Sequence, residues 1–523
     1  MKNKKTSMYL QFVSVAKVRK LIGGLKNKKS ISIDQLDNYS VKIAGDYVAG
    51  PLHHVISLSV MQQKFPSCWK LTKIVPLHKK KSTLKPENYR PVAILSPLSK
   101  VLEKAVYEQV YEYFSKNRIF TPALHGYRGG RSTMTALLTM YDRWVKAASQ
   151  GHVTGVVLVD LSAAFDLVSP DILIQKLQIY GLKEDFIAWI TSYLTDRAQA
   201  VWIDHVYSDL IHHSLGVPQG SNLGPLLFLI FFNDLPHFIN ESIDCYADDS
   251  TLGATGQSIV NIGNKLTDDC KNLSDWMACN KFKLNAEKTH FLVMGTRRRL
   301  GTLTEQLQVF MDGVTLQESE DQCEILLGIK IKSDLGWEGQ VTELVNKLKK
   351  RLGGLASLRS IMGVSNKKKI VEGVFNSVLC YCLPVFGGCN NSDLMDLQLQ
   401  QNTAARITLS LPPRSNRNDM YDKLKWLTVK QLIVYHTLLC VYRIRKNREP
   451  EYLASILCRD SAHGSGRIIV EKIKLGLQRE SFTYRGALDW NKLPPDLRLE
   501  PKLYKFKAGL KDWIAENVER FLT

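Results

Sequence analysis

An apolar run that ends in a carboxylate occurs twice in this chain, and how those two runs pair is the strongest constraint on its fold. Val156 to Val159 reads as a buried strand and ends in Asp160; Ile243 to Ala247 and Thr251 to Leu252 flank Asp248 and Asp249 as the arms of a hairpin would. A lone Asp at a strand end is usually a cap, and an Asp-Asp pair is usually turn chemistry. Two such sites roughly ninety residues apart carry more meaning if adjacent strands of one sheet bring them together. Clustered carboxylates repel one another unless a divalent cation neutralises them. Oxygen ligands from two strands can hold two ions ~3.5–4 Å apart, one activating an attacking hydroxyl and one stabilising the leaving oxygen of an in-line phosphoryl transfer. So read, the residues point to magnesium-dependent polymerase or nuclease chemistry.

The surrounding pattern is mixed. A strand over Leu71 to Leu77 runs into Lys79, Lys80 and Lys81, and two helices follow, one through Val101, Leu102, Ala105, Val106 and Val110, the other from Ser132 through Leu137, Leu138, Tyr141 and Val145. After Ser169 and Pro170 a helix carries Ile172, Leu173, Leu177 and Tyr180 on one face, and another spans Phe186 to Leu194. Strand-like Gln199 to Ile203 then leads into a Gly/Pro loop, Gly216 to Gly224, and an apolar helix after Pro225. Leu326 to Ile331 reads as one strand. Beyond it the chain is mostly helical, with basic patches at Lys347 to Arg351, Lys367 to Lys369, Arg414 to Arg417 and Arg443 to Arg448.

Charge narrows the partners. Lys and Arg total 70 against 50 Asp and Glu in 523 residues, a surplus of +20, which suits a polyanion. Ten cysteines without regular spacing read as thiols of an intracellular, reducing compartment rather than a secreted framework. Cys380, Cys382 and Cys389 invite a zinc reading, but the one-residue gap and the lack of a nearby His favour buried thiols. The densest apolar run, Leu223 to Phe232, is about half the ~20 residues a spanning helix needs, so no membrane association is expected. The mildly apolar Met8 to Val15 stretch is interrupted by Gln11 and followed by Lys17, Arg19 and Lys20 where a signal peptide would place small residues, which argues against one.

Several segments, in order, carry a resemblance. Tyr246-Ala247-Asp248-Asp249, the loop Leu215-Gly216-Val217-Pro218-Gln219-Gly220-Ser221-Asn222-Leu223-Gly224-Pro225 and the Asp160 segment look like three motifs of reverse transcriptases, and the match is to the non-LTR (LINE-type) retrotransposon enzymes of jockey-like character. Asn88-Tyr89-Arg90-Pro91, His125-Gly126-Tyr127-Arg128-Gly129-Gly130-Arg131-Ser132-Thr133, Leu284-Asn285-Ala286-Glu287-Lys288-Thr289 and Leu326-Leu327-Gly328-Ile329 support it. The resemblance covers residues 30 to 340, and more loosely a tail containing Arg485, Trp490-Asn491 and Leu493-Pro494. It implies an α+β right-hand polymerase with fingers, a ferredoxin-like palm and a helical thumb. The expected layout is a helical extension over 1–59, a reverse transcriptase domain over 60–332 (fingers 60–150, palm 151–332), a thumb over 333–400 and a basic helical region over 401–523. The implied activity is RNA-directed DNA polymerisation on an RNA template, from a DNA primer and dNTPs, with two Mg2+ ions for which Mn2+ can substitute. A start at Met1 leaves no room for the upstream endonuclease of such elements, so the chain reads as a truncated or remodelled copy for which a separate endonuclease is one source of the target-DNA nick.

The resemblance also implies roles. Asp160 and Asp248 are expected as the principal metal ligands, with Asp249 the third carboxylate. Phe165 resembles the aromatic gate that excludes a ribose 2′-hydroxyl; the competing reading is a core Phe on a strand-to-helix turn. Asp166 reads as a helix or turn cap. Gln219 sits in the loop that resembles the nucleotide-binding loop. Lys79 and Arg90 resemble residues holding the triphosphate, although Lys79 could equally belong to a solvated run. Arg128 and Arg131, ahead of a helix, are expected to touch template phosphates. Lys288 resembles a general acid protonating the leaving pyrophosphate. The basic helices would grip the template–primer duplex through its phosphates. Two other readings compete, a catalytically inactive transposon-derived nucleic-acid-binding protein and a group II intron-type maturase; the intact carboxylates favour the polymerase.

Overall fold

A computed structural model describes residues 7–79, 82–159, 161, 164–284, 288–461, 465–473 and 476–517. Its strands, in chain order, are β1 (Leu71–His78), β2 (Tyr89–Ile94), β3 (Val153–Val159), β4 (Arg197–Ile203), β5 (Val206–Tyr207), β6 (Ile211–His213), β7 (Ser242–Tyr246), β8 (Asp249–Gly256), β9 (His290–Met294), β10 (Phe310–Met311), β11 (Val314–Thr315), β12 (Gln317–Glu318), β13 (Cys323–Leu326) and β14 (Ile329–Lys332).

The central sheet has the order β12-β9-β3-β8-β7, and β3 lies antiparallel between β8 and β9. Between β3 and β7 lie helices Pro170–Ile179 and Glu184–Leu194, the strands β4 to β6 and helix Gly224–Phe231, and helix Ile259–Cys279 connects β8 to β9. This β-α-β-β-α-β path with β9-β3-β8-β7 order is the split, ferredoxin-like arrangement. β3 is apolar along its length because both its faces are covered. Val153, Val157 and Val159 point into one core, which helix Ile259–Cys279 shares, while Val156 points into a second core with helix Thr133–Ser149. That helix has buried residues all round, from Ala136 to Ala148, as expected of one enclosed on every side. A capping box of Ser132 and Thr135 starts it.

A second sheet, of order β2-β1-β4-β5 with β6 on β4, forms the fingers. The expected single strand over Leu326 to Ile331 is instead a hairpin, β13 paired with β14. Leu327 (φ 48°) and Gly328 (φ 81°) both take left-handed backbone, which a two-residue hairpin turn needs at both central positions. Leu supplies no sequence signal for it.

Core packing cuts across the expected layout. Val18, Ile22, Ala49, Leu52 and Ile56 of the N-terminal helices join the same core as the palm. The second core runs from Ala136 through the thumb helices Glu338–Ala356 and Asn391–Leu409 to Val441, Trp490 and Phe506, with no division at residue 400. Polar ties reinforce it. Asp142, buried on helix Thr133–Ser149, accepts hydrogen bonds from Thr483 Oγ1 (2.7 Å) and Tyr452 Oη (3.2 Å). Cys380, Cys382 and Cys389 are free thiols in apolar packing, and burial pushes them up to about 11, 11 and 12. Among the described residues no helix is long and apolar enough to cross a membrane.

His436, on helix Val429–Asn447, has its pKa lowered from 6.5 to about 4, by burial first and by Arg443 second. Between these values the unfolded chain binds a proton that the native state refuses. Its contribution to stability is therefore complete above about pH 6.5 and is lost as pH falls toward 4. Replacing it, His436→Gln, is expected to flatten the acid side of the stability curve by about 2–3 kcal/mol. Urea midpoints of wild type and variant measured across this window check it; parallel profiles would show that His436 is not the titrating group.

Candidate active site at the palm hairpin

The acidic turn is built by register. Tyr246 pairs with Asp249 across β7 and β8, so Ala247 and Asp248 form a two-residue turn. Ala247 takes φ 58°, a left-handed conformation uncommon outside glycine. Asp248 is half-buried and Asp249 exposed. Beside them the end of β3 arrives, with Val159 paired to Ser250, the residue after Asp249. Asp160, the next residue in the chain, lies outside the described residues. Among the described residues no group of three or more His, Cys, Asp or Glu gathers as a metal site; Asp248 and Asp249 are the two expected carboxylates that are described.

On the other side of β3, Leu158 pairs with His290, which brings the start of β9 to the same end of the sheet. Exposed Lys288 and Asp249 line one cleft of about 160 Å3 together with Leu158, Val159 and Ser250. Of the supporting residues predicted from sequence, Lys288 is the one the fold carries to the acidic turn.

Phe165 lies stacked on Phe228, centroids 4.2 Å apart and planes 10° from parallel, with Tyr127 edge-on at 5.9 Å. The ring is half-buried, held by packing yet partly open. The Gln219 loop is stitched to the segment that bears it. Gly216 N donates to Val168 O at 2.8 Å and Val217 N to Phe165 O at 3.0 Å. Gly216 has φ 89°, and a Cβ there would sit 3.0 Å from the Cα of Asp166, so only glycine permits this approach. Gln219 Nε2 donates to Asp166 Oδ1 at 2.8 Å. Asp166 is thus exposed and bonded to the loop, where a cap had been expected. Gln219 and Asp166 line a cleft of about 420 Å3 whose opposite wall is Thr72, Ile74, Pro91 and Ala93 of the fingers.

Lys79 and Arg90 are both exposed on the β1–β2 hairpin. Lys79 N donates to Asn88 O at 2.8 Å, and Arg90 sits opposite Leu77. Alternation along β2 puts Arg90 on the face opposite Pro91 and Ala93, so the fold does not direct it into the Gln219 cleft.

Arg128 and Arg131 require a correction. Arg128 Nη2 contacts Glu449 Oε1 at 3.0 Å and Arg131 Nε contacts Glu449 Oε2 at 2.7 Å, while their remaining donors reach the carbonyls of Thr121, Pro122 and Leu124. The Arg131 side chain is 0% exposed and that of Arg128 8%. Burial lowers the pKa of Arg128 to about 10, with Arg131 beside it adding to the effect. These guanidiniums bind a carboxylate of the C-terminal region and are not presented to template phosphates.

Sequence reasoning passed over the support beneath the turn. Residues 123–125 lie alongside β7: Cys245 N donates to Ala123 O at 2.9 Å and His125 N to Cys245 O at 2.8 Å. His125 Nε2 meets Asp244 Oδ1 at 3.0 Å, and Arg143 bonds the other oxygen, Oδ2. His125 is 2% exposed and Asp244 6%. Burial alone would raise the Asp244 carboxyl, but Arg143 and His125 hold it below its usual range. Burial lowers the pKa of His125 while Asp244 opposes the shift, and Nε2, which faces the carboxylate oxygen, is the ring nitrogen that donates. Gly126 is pressed against the turn, since a Cβ there would lie 2.6 Å from the backbone N of Ala247. The available signal was Asp244 itself, a charge inside an apolar strand, which demands partners.

Comparison with known proteins agrees with this geometry. Residues 77–331 match the reverse transcriptase (RNA-dependent DNA polymerase) family. The chain is 26% identical over 459 residues to a probable RNA-directed DNA polymerase from transposon BS of Drosophila melanogaster, covering 84% of this chain and 49% of that protein. It is 24% identical over 432 residues to the RNA-directed DNA polymerase from mobile element jockey of the same organism, covering 80% and 46%. It also aligns with the structure of telomerase from Candida albicans in complex with a TWJ fragment of telomeric RNA, at 14% identity and a TM-score of 0.36, over 81% of this chain and 77% of that one. The chain spans about half the length of the curated relatives it matches. The matched segment, residues 77–331, contains the ferredoxin-like palm and its acidic turn, so this part of the chain is a reverse transcriptase domain, and the chain around it is similar to the RNA-directed DNA polymerases of the BS and jockey elements.

Proposed function

We propose that this chain is an RNA-directed DNA polymerase that extends a DNA primer on an RNA template, the primer being a target end nicked by a separate endonuclease activity. The observation that carries this reading is the register Val159–Ser250 beside Tyr246–Asp249, which sets the chain end leading to Asp160 next to the Asp248-Asp249 turn. Asp160, Asp248 and Asp249 supply only carboxylate oxygens, the donor type that hard Mg2+ or Mn2+ takes. Reverse transcriptases generally use divalent metal ions, and two bound Mg2+ ions would lower the pKa of the attacking primer hydroxyl and neutralise charge on the leaving pyrophosphate.

The chain's own residues do the rest. Lys288, in the cleft that Asp249 also lines, is placed to give a proton to the leaving pyrophosphate. Phe165, fixed by Phe228 and Tyr127, presents a ring edge against the sugar, where a 2′-hydroxyl would collide. Gln219 contacts the incoming nucleotide from its loop. Lys79 and Arg90, exposed on the fingers hairpin, supply cations for the triphosphate outside the Gln219 cleft, which Arg90 does not face.

Primer extension on an RNA template tests the reading. Wild type is expected to make DNA with Mg2+ present and none when it is chelated. Phe165→Ala is expected to raise ribonucleotide incorporation relative to deoxyribonucleotide by roughly 10–100-fold, the discrimination a single steric contact supplies. A wild type that binds template–primer but extends nothing under these conditions would defeat the proposal.

A further inference from the structure

Resting on the polymerase reading, we infer that Asp166 is a positioning residue for nucleotide binding, acting through Gln219. Three observations carry it. The Asp166 carboxylate is exposed, and it accepts a 2.8 Å hydrogen bond from Gln219 Nε2. Both side chains line the same cleft, between the fingers strands and the loop, and no Lys or Arg is among the residues lining it. The loop cannot swing independently, because Gly216 N and Val217 N are bonded to Val168 O and Phe165 O and Gly216 is packed against the Asp166 backbone.

The consequence is physical. A free Gln side chain loses rotamer entropy when it is ordered against a ligand. Asp166 orders it beforehand and fixes which end of the amide faces the carboxylate, since only Nε2 can donate there. The amide oxygen, an acceptor, is the end left for the cleft. A cleft walled by Thr72, Ile74, Pro91 and Ala93, lined also by His212 and His213 and with a carboxylate and an amide at its rim, suits the base and sugar of a nucleotide. One short segment therefore holds the Phe165 ring and anchors Gln219, which couples the two contacts made on the same nucleotide. Anchoring acts on binding, so its loss is read in KM before kcat.

The test uses the purified full chain on an RNA template with an annealed DNA primer, with the complementary dNTP varied. Asp166→Ala is expected to raise KM for the dNTP about tenfold and to lower kcat by less than about threefold. Asp166→Asn, whose Oδ1 still accepts from Gln219, is expected to recover most of the loss. Gln219→Ala should match Asp166→Ala, and the double variant should be no worse than either, because the two residues act as one unit. An unaltered KM in Asp166→Ala, or effects that multiply in the double variant, would overturn the inference while leaving the polymerase reading intact. A wild type that extends no primer would overturn both.

Discussion

Asp248→Asn is expected to cost at least about a thousandfold in primer extension while leaving the fold unchanged. The substitution keeps the side-chain volume and the turn, in which Tyr246 and Asp249 pair on either side of Ala247 and Asp248. It removes only the charge. A neutral amide oxygen would hold a hard dication far more weakly than a carboxylate, and in the proposed reaction that dication would supply the activation of the attacking hydroxyl. Steady-state extension rates at saturating dNTP and template–primer give the comparison, and a thermal unfolding curve of the variant confirms that the fold is intact. Activity within tenfold of wild type would remove Asp248 from the catalytic set. Asp249→Asn is the informative companion: Asp249 is exposed at the start of β8, and a smaller loss there would separate a principal ligand from an auxiliary one.

The largest effect on stability is expected one turn of the sheet deeper, at Asp244→Ala. Asp244 is the shared acceptor of His125 and Arg143, and it is buried within β7. Its removal leaves the Arg143 guanidinium without its acceptor and His125 Nε2 without a partner. Breaking the network from one side is expected to cost about 2–3 kcal/mol, because His125 is left buried without its acceptor while the Arg143 side chain, 32% exposed, can turn to water. Equilibrium urea unfolding would show a midpoint shift of that size, and a loss under about 1 kcal/mol would mean water replaces the carboxylate. Extension activity should fall as well, since residues 123–125 brace β7 and Gly126 packs against Ala247. Arg143, a helix residue with no apparent catalytic role, thus belongs to the support of the acidic turn.

Much of this site was readable in advance because its signals are local. β3 ends in the apolar run Val156 to Val159 that leads to Asp160, and the hairpin around Asp248 announces itself by apolar arms about a two-residue turn. The Gln219 loop is marked by its glycines and prolines: Gly216, Gly220 and Gly224 make close approaches and Pro225 starts a helix. What escaped depends on partners far along the chain. Arg128 and Arg131 look in sequence like any basic loop ahead of a helix, and Glu449, more than three hundred residues later, is what occupies them. Asp166 reads as a cap from its neighbours, while its actual partner, Gln219, is 53 residues away. The Leu327-Gly328 turn was hidden for a different reason: Leu in left-handed backbone is tolerated only because the β13–β14 pairing requires it.

The sequence by itself determined the chemistry on offer. It set which carboxylates, cations and rings exist, the continuous apolar run that suits β3 to a doubly covered sheet, and the charge surplus that suits a nucleic acid, all properties of residue type and near-neighbour spacing. Tertiary structure alone decided which cations are exposed and which are consumed. Lys79, Arg90 and Lys288 stay at the surface, two on the fingers hairpin and one in the cleft beside Asp249, whereas Arg128, Arg131 and Arg143 are spent on Glu449 and Asp244. The reason is energetic: a guanidinium drawn under a second layer of helices must find a carboxylate there, and only the folding of the C-terminal helices onto the palm supplies the one that Arg128 and Arg131 share.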